Sequence, residues 1–266
     1  MRIFFMRHPR VAGSFYPSNP ESLLAMLREY TYPSKDESVV ACVSPHAGYI
    51  YSGRTAGRVH SLLPDAETFV IVGPNHTGYG LPVAVSTDSW LTPLGEVEVD
   101  TDFIEAMPKL IVAPDEIAHR YEHSLEVQVP FLQYLHDDFK IVPICLGMQD
   151  EETAKEVAEE ILKAEEETGR RIVVIASSDM HHYLPDEECR RLDGIVIDAI
   201  LSMNVKKYYE TIYKLQASVC GYGCIAVSMH YSKAKGAIAE LVDYSTSGDV
   251  ADRSQVVGYA GIVFRI

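Results

Sequence analysis

Runs of apolar residues alternate along the chain with segments of helical period. The apolar runs are short and rich in Val, Ile and Ala, which is typical of strands buried on both faces of a sheet. The clearest predicted strands lie at 38–44, 68–73, 140–147, 171–177, 238–245 and 256–266. Helical segments separate most of these strands, and the alternation therefore predicts an α/β fold with a mainly parallel central sheet flanked by helices.

The predicted helices share an apolar stripe and, in several cases, a capping residue at the start. Asn19 precedes one helix, Asp100 precedes another, and Gly169 stops the longest. The helices are predicted near 20–30, 52–63, 100–110, 150–168, 186–202, 204–215 and 221–234, with a partly helical segment at 123–136. An exposed, alternating stretch at 92–100 predicts an antiparallel addition to the sheet. The sequence has no linker, low-complexity tract or internal repeat, so we expect one domain over residues 1–266.

Histidine or aspartate follows three of the buried strands at the point where each strand ends. His46 comes after "VVACVS", His76 after "FVIVG", and Asp179 and His182 after "IVVIAS". In open α/β sheets the carboxyl ends of parallel strands share one edge, where ligands bind. We therefore expect these side chains to converge, although a hydrogen-bonded loop residue is the plainer explanation for any one of the histidines.

Composition and charge exclude several classes of partner and cofactor. The 266 residues carry 38 acidic and 23 basic side chains, a formal net charge of −15, which disfavours nucleic acid and anionic membranes as partners. No segment approaches the apolar length of a membrane span, and the N-terminal apolar run is too short for a signal peptide. The five cysteines form no C-x-x-C pair, and no dinucleotide fingerprint or P-loop is present. We expect a cytoplasmic protein without a nucleotide cofactor.

The polar strand tips carry groups that bind transition metals. Imidazole suits zinc, copper and iron, and a thiolate favours softer or borderline metals. Asp179 is placed to orient His182 as an acid or base, in which case His181 points elsewhere. Cys220 precedes a predicted helix, whose N-terminus would lower the pKa of its thiol, while a buried inert thiol is the alternative.

His123 and Glu126 form a second candidate pair. Their i, i+3 spacing places both on one face of a helix. They are either partners behind the metal ligands, part of the pocket wall, or a surface pair. The sequence leaves these roles open.

The ordered set of motifs resembles the Memo family, which includes archaeal and bacterial members called AmmeMemoRadiSam system protein B. The motifs are "RHPRVAGSFYP", "SPHAGYIYSG", "GPNHTG", "WLTPLGEVEVD", "EHSLEVQVPFLQ", "SSDMHHY" and "YSTSGDVADRSQVVGYAG". They run from Arg7 to Gly261 in family order, so the resemblance covers almost the whole chain.

The resemblance implies a fold similar to class III extradiol dioxygenases, the non-haem iron enzymes that open catechol rings. It also implies that His46, His76 and Cys220 are metal ligands and that Asp179 and His182 are the other two pocket residues. The dioxygenases hold iron with two histidines and a carboxylate. A thiolate from Cys220 in place of that carboxylate would change the charge and softness of the site.

Two functions follow as hypotheses. The first is a metal-dependent redox enzyme that resembles the dioxygenases and uses iron or copper, with zinc less expected. The second is a non-catalytic protein that binds a metal, small molecule or peptide in the same pocket, as the signalling role of animal relatives implies. A zinc-dependent hydrolase is a third option. The family name also implies a functional link to a radical S-adenosylmethionine protein.

Overall fold

The computed structural model describes residues 6–266, and the first five residues, where the N-terminal apolar run begins, lie outside the described part. Its strands are β1 Met6–Arg7, β2 Val39–Ser44, β3 Thr68–Pro74, β4 Val83–Val85, β5 Ser89–Thr92, β6 Gly95–Val97, β7 Ala113–Pro114, β8 Lys140–Leu146, β9 Ile172–Ser177, β10 His182–Leu184, β11 Ile238–Thr246 and β12 Val256–Arg265. Its helices are α1 Pro20–Tyr30, α2 Tyr49–His60, α3 Thr101–Ala106, α4 Glu116–His119, α5 Val129–Leu135, α6 Glu151–Thr168, α7 Asp186–Leu201, α8 Val205–Leu215 and α9 Tyr222–Ala234. Short 3₁₀ turns lie at Glu126–Gln128 and Ser247–Asp249.

A parallel core forms the centre of the larger sheet. Within residues 6–266, nine strands make this sheet in the order β10-β12-β2-β9-β3-β8-β4-β7, with β11 also paired to β12. The neighbours β2, β9, β3 and β8 run parallel to one another. Every residue of β3 and β9 is buried, as continuous Val and Ile runs require of strands covered on both faces. The predicted α/β fold with a mainly parallel centre is confirmed.

Antiparallel strands extend the sheet on both sides of this core. β12 runs antiparallel to β2, β10 and β11, and β4 runs antiparallel to β8. The prediction that residues 92–100 add an antiparallel strand to this sheet is wrong, because the stretch meets the sheet only at Val99, through an isolated parallel bridge to Ile141. Gly95–Val97 instead folds back on Ser89–Thr92, and β1 pairs with the same hairpin to make a separate three-stranded sheet. Gly95, at φ 122°, supplies the backbone conformation that this tight turn needs.

Two predicted helix boundaries shift for local reasons. The helix predicted at 52–63 begins at Tyr49, where Gly48 is the N-cap and the Tyr49 N–H donates to the Phe15 carbonyl at 2.7 Å. The helix predicted to reach residue 110 ends at Ala106, because the residue before Pro108 is driven out of the helical region. The longest helix, α6, ends as predicted at Gly169, which is left-handed at φ 65°.

Helices pack on the sheet and leave its carboxyl edge accessible. α9 packs against β2, β3 and β9, and α2 packs against β2, β11 and β12. Of the helices in the described part of the chain, none has the length and apolar character needed to cross a membrane.

Candidate functional site

The predicted strand tips meet at one edge of the sheet. His46 follows β2, His76 follows β3, and Asp179 follows β9, and all three line one cavity of about 630 Å³. His123 and His182 also line this cavity. The parallel order β2-β9-β3 is what places these tips side by side.

Three imidazoles converge in the cavity, where His46 is buried, His123 is half-buried and His76 is exposed. Among the described residues, His46, His76 and His123 form a group in which one ring nitrogen of each lies within 4.8 Å of the others. The His76 and His123 rings stack at 4.6 Å between centroids, and the His46 ring meets both edge-on. Burial, together with the neighbouring His76 and His123, holds the pKa of His46 well below its usual value. His46 is therefore neutral, and one of its ring nitrogens carries a lone pair.

Hydrogen bonds fix which nitrogen of His46 carries the proton. The Ser177 hydroxyl donates its one proton to the Ser124 carbonyl at 2.6 Å and accepts from the Gln128 amide at 2.9 Å. His46 Nδ1 lies 2.9 Å from the same oxygen, so Nδ1 must be the donor in this contact. The lone pair of His46 is consequently on Nε2.

Glu122 accepts a hydrogen bond from Nδ1 of His76, as Ser177 does from Nδ1 of His46. Its carboxylate, which is fully buried, accepts from the backbone N–H and from Nδ1 of His76, at 2.6 and 2.9 Å. It also accepts from the backbone N–H groups of His123 and Ser124. Burial would raise the pKa of Glu122, but the hydrogen bond and charge of His76 outweigh it and lower the pKa to about 2. Glu122 is thus an anion beside Nδ1 of His76, and its hydrogen bond and charge raise the pKa of that histidine against the effect of burial.

Cys220 lies against the His46 lone pair. Its Sγ is 3.2 Å from His46 Nε2 and accepts the backbone N–H of Asp179, also at 3.2 Å. The absence of a side chain at the adjacent Gly221 allows this close packing, because a Cβ there would lie 2.5 Å from the Ser177 carbonyl oxygen. Burial and the nearby Asp179 raise the pKa of Cys220, the opposite of the lowering expected from the helix N-terminus.

Asp179 and His182 face the cavity from the same loop. Asp179 accepts the backbone N–H of His46 at 2.8 Å, and its burial raises the pKa of the carboxyl to about 6. His182 Nδ1 donates to the Ser218 carbonyl at 2.8 Å, so Ser218, rather than Asp179 as predicted, orients the ring. His181 points the other way and bonds to the buried Asp193 at 2.6 Å.

His123 and Glu126 serve different parts of the molecule. His123 is in the cavity wall, while Glu126 is buried and accepts from Arg7 and from the Tyr16 hydroxyl, both at 2.7 Å. These bonds anchor the N-terminal segment, which places the Phe15 ring 4.8 Å from that of His123. Neither residue belongs to a surface pair.

The sequence did not point to the residues that set the histidine tautomers. Glu122 stands immediately before His123, and an acid next to a candidate histidine is a signal that could have identified it. Ser177 and Gln128 gave no such signal, because their roles depend on neighbours that only the fold brings together.

The described geometry is that of an α/β protein with an imidazole-rich cavity at the carboxyl edge of its sheet. Residues 7–263 match the family model described as Memo-like protein. The chain belongs to the Memo-like family.

Similarity to relatives extends over nearly the full length of each. The chain is 92% identical to a MEMO1 family protein of Archaeoglobus fulgidus, over 98% of this chain and 100% of the relative. It is 51% identical to one from Methanosarcina barkeri, over 97% and 99%. An uncharacterized protein of Escherichia coli K12, JW3007, has a similar fold at a TM-score of 0.56 and 12% identity, covering 85% of this chain and 99% of that one.

Proposed function

We propose that the chain binds iron or copper at the inner end of this cavity and uses it in redox chemistry related to that of the extradiol dioxygenases. The observation that carries the proposal is the convergence of His46, His76 and His123 within 4.8 Å. Two of these rings have Nδ1 tied back by Ser177 and Glu122, the arrangement that orients histidines bound to metals.

The donor set fits such a metal. His46 Nε2 carries a lone pair, His76 Nε2 is left free by the Glu122 bond, and Cys220 Sγ lies 3.2 Å from His46 Nε2. Imidazole and thiolate together suit copper, iron and zinc better than magnesium or calcium. Metal binding would remove the Cys220 proton despite the raised pKa, because a coordinating thiol is deprotonated outright.

We assign the third ligand to Cys220, as the family resemblance implies, with His123 as the alternative, because the nitrogens of His46, His76 and His123 lie within 4.8 Å of one another. His46 meets both other rings edge-on, at 83° to His76 and 88° to His123, so the ring planes favour neither third ligand. X-ray absorption distinguishes the two by the presence or absence of sulfur at the metal.

Asp179 and His182 are the residues assigned to proton transfer. Burial raises the pKa of the Asp179 carboxyl toward neutrality, the direction that suits a group exchanging protons with a substrate. His182 Nδ1 is a donor to Ser218, which leaves Nε2 to accept or deliver a proton in the cavity. The bound metal would supply the redox-active centre that exchanges electrons with the substrate or dioxygen.

The first test is the metal content of anaerobically purified protein, measured by mass spectrometry. We expect near-stoichiometric iron or copper in the wild type and a large loss in Cys220→Ala and His46→Ala. Cys42→Ala is the matched control, because Cys42 is buried in β2 and away from the cavity. Wild-type protein that takes up no metal after reconstitution would contradict the proposal.

Oxygen consumption with a catechol then separates the redox function from its alternative. The metal-loaded, reduced wild type is expected to consume dioxygen, and His182→Gln to do so more slowly with its metal retained. A loaded protein that consumes no dioxygen and turns over no catechol would support the non-catalytic alternative, in which the same cavity only binds a metal, small molecule or peptide.

A further inference from the structure

The charges along the cavity are of one sign away from the histidines. Asp179 lies at the inner end, and Asp252 lines the cavity as an exposed residue of the loop before β12. Of residues 6–266, no Lys or Arg lines it. Carboxylate and phosphate ligands are usually held by Arg or Lys, so a ligand with an anionic tail lacks a partner in this wall.

Aromatic rings form much of the remaining wall. Tyr51, Tyr183 and Tyr259 all line the cavity, and Phe15 covers it near His123. Tyr259 is 1% exposed and belongs to the back wall, whereas Tyr183 is 71% exposed and stands at the mouth. Tyrosine faces attract organic cations through the ring quadrupole.

The backbone holds Tyr183 at the mouth in an unfavourable conformation. Tyr183 has φ 61°, a left-handed value that a bulky residue rarely adopts. The pairing of β10 with β12 shifts register between His182 and Leu184, so that Tyr183 is the residue of a bulge. Bulges re-aim side chains beside functional sites, and a strained residue persists where its surroundings impose it. Simple surface packing does not require a strained, exposed aromatic residue here.

Asp252 is also held in place. Its Oδ2 accepts the backbone N–H of Ser254 at 3.2 Å and the Ser254 hydroxyl as well. Both bonds go to one oxygen, which leaves Oδ1 for a ligand. An exposed carboxylate and a strained, exposed tyrosine therefore line the same cavity as the imidazole group.

We propose that the outer wall, formed by Tyr183 and Asp252, is a subsite for an ammonium group, so that the cavity takes a phenol or catechol with a cationic tail. This rests on the proposed function in placing the phenolic end of the ligand at the metal. The ammonium group would lie over the Tyr183 ring and pair with Asp252 Oδ1.

Three para-substituted phenols with short tails of different charge test the proposal. Tyramine carries an ammonium group, 4-ethylphenol is neutral, and 4-hydroxyphenylacetate is anionic. Dissociation constants are measured by isothermal titration calorimetry on zinc-loaded and metal-free protein, because zinc does not oxidise phenols. We expect tyramine to bind about tenfold more tightly than 4-hydroxyphenylacetate and about fivefold more tightly than 4-ethylphenol, from one cation–π contact and one exposed ion pair.

Variants of Tyr183 and Asp252 distinguish binding at the subsite from a general attraction of the tyramine cation to a protein with a net charge of −15. Asp252→Asn and Tyr183→Ala should each bring tyramine to within twofold of 4-ethylphenol, and Tyr183→Phe, which keeps the ring face, should retain the preference. Asp138→Asn is the matched control, since it removes the same charge from a separate cleft next to the start of β8.

Three results would overturn the proposal. The first is 4-hydroxyphenylacetate binding as tightly as tyramine. The second is an equal loss of the preference for tyramine in Asp252→Asn and Asp138→Asn. The third is no binding of any of the three phenols to protein that does bind zinc. Failure to bind zinc would instead count against the metal site. Zinc binding and tail preference are read separately, so the two failures are distinguishable.

Discussion

Hydrogen bonds to Nδ1 determine which atom each histidine turns toward the cavity. Ser177, Glu122 and Ser218 hold Nδ1 of His46, His76 and His182 in turn, although they lie on different elements. In each case the bond leaves Nε2 as the nitrogen that can face a ligand, and at His46 the Cys220 thiol lies against it. Since only an unprotonated nitrogen can bind a metal or accept a proton, these three bonds prepare the site before any ligand arrives.

Glu122→Gln is expected to weaken zinc binding by tenfold to a hundredfold, the order of magnitude seen when a carboxylate behind a metal-bound histidine is lost. The amide removes the anion beside His76 Nδ1 and cannot accept from all four N–H groups that the carboxylate now satisfies. Zinc affinity is measured by competition with a chromogenic chelator.

Glu126→Gln is the control for that variant. Glu126 is equally buried and bonds to Arg7 and Tyr16, so its loss should lower the free energy of unfolding and change zinc affinity by less than about twofold. Equal zinc affinity in Glu122→Gln and wild type would remove the assigned role of Glu122.

Buried neutral histidines make the fold sensitive to acid. Burial lowers the pKa of His60 to about 4, and the ring stacks on Phe131 while bonding to Gln128 at 2.8 Å. In the unfolded chain the same group takes up a proton near pH 6.5, so protonation favours unfolding as the pH falls from 6.5 toward 4. Protonation of His60 alone should lower the free energy of unfolding by about 2 kcal/mol between pH 7.5 and pH 5.

His60→Gln tests that prediction by urea unfolding at the two pH values. The glutamine does not titrate, so about 2 kcal/mol of the pH dependence should disappear. His8→Gln, at an exposed position, is the matched control. An unchanged pH dependence in His60→Gln would show that His60 does not resist protonation in the fold.

At the scale of elements, the loop from β9 to β10 is clamped between α7 and β12. Met180 N–H donates to the Gly258 carbonyl at 2.8 Å, and Gly258 N–H donates to the His181 carbonyl at 3.0 Å. Asp193 on α7 accepts from both the backbone and Nδ1 of His181. Asp179 and His182 flank this clamped stretch, so its fixed position sets theirs.

Gly258→Ala should destabilise the protein by about 3 kcal/mol, at the upper end of the cost of overpacking a buried site. A Cβ at this position would lie 1.8 Å from Asp193 Oδ2, so the clamp must move. Gly194→Ala is the matched control, because a Cβ there meets nothing within 4 Å and alanine is the better helix former. Urea unfolding measures both, and a Gly258→Ala variant as stable as wild type would show that the clamp is not rigid.

Strands with a recognisable hydrophobic pattern could be predicted from the sequence. Strands that form only because they pair with another strand could not. The Val and Ile runs of β2, β3, β8 and β9 identify them as buried strands without any knowledge of neighbours. β10 has three residues and exists because β12 pairs with it. The same dependence on a partner explains the wrong placement of the 92–100 stretch, whose strand β6 pairs with β5 in the smaller sheet.

At the scale of the whole molecule, the parallel sheet turns separate motifs into one site. The convergence of His46, His76 and Asp179 could be predicted, because residues after neighbouring parallel strands must share an edge. Cys220 lies beside His46 in the fold, yet its pattern in the sequence favoured an inert buried thiol, and only the family resemblance favoured a ligand. The supporting shell of Glu122, Ser177 and Gln128 depends on contacts between distant segments, which a single sequence does not reveal.

Zinc-edge X-ray absorption on the reconstituted protein tests whether His46, His76 and Cys220 hold a metal together. We predict nitrogen scatterers at about 2.0 Å and one sulfur at about 2.3 Å, with the sulfur lost in Cys220→Ala and kept in Cys42→Ala. A wild-type spectrum with nitrogen and oxygen alone would contradict this ligand set and point to His123 in place of Cys220.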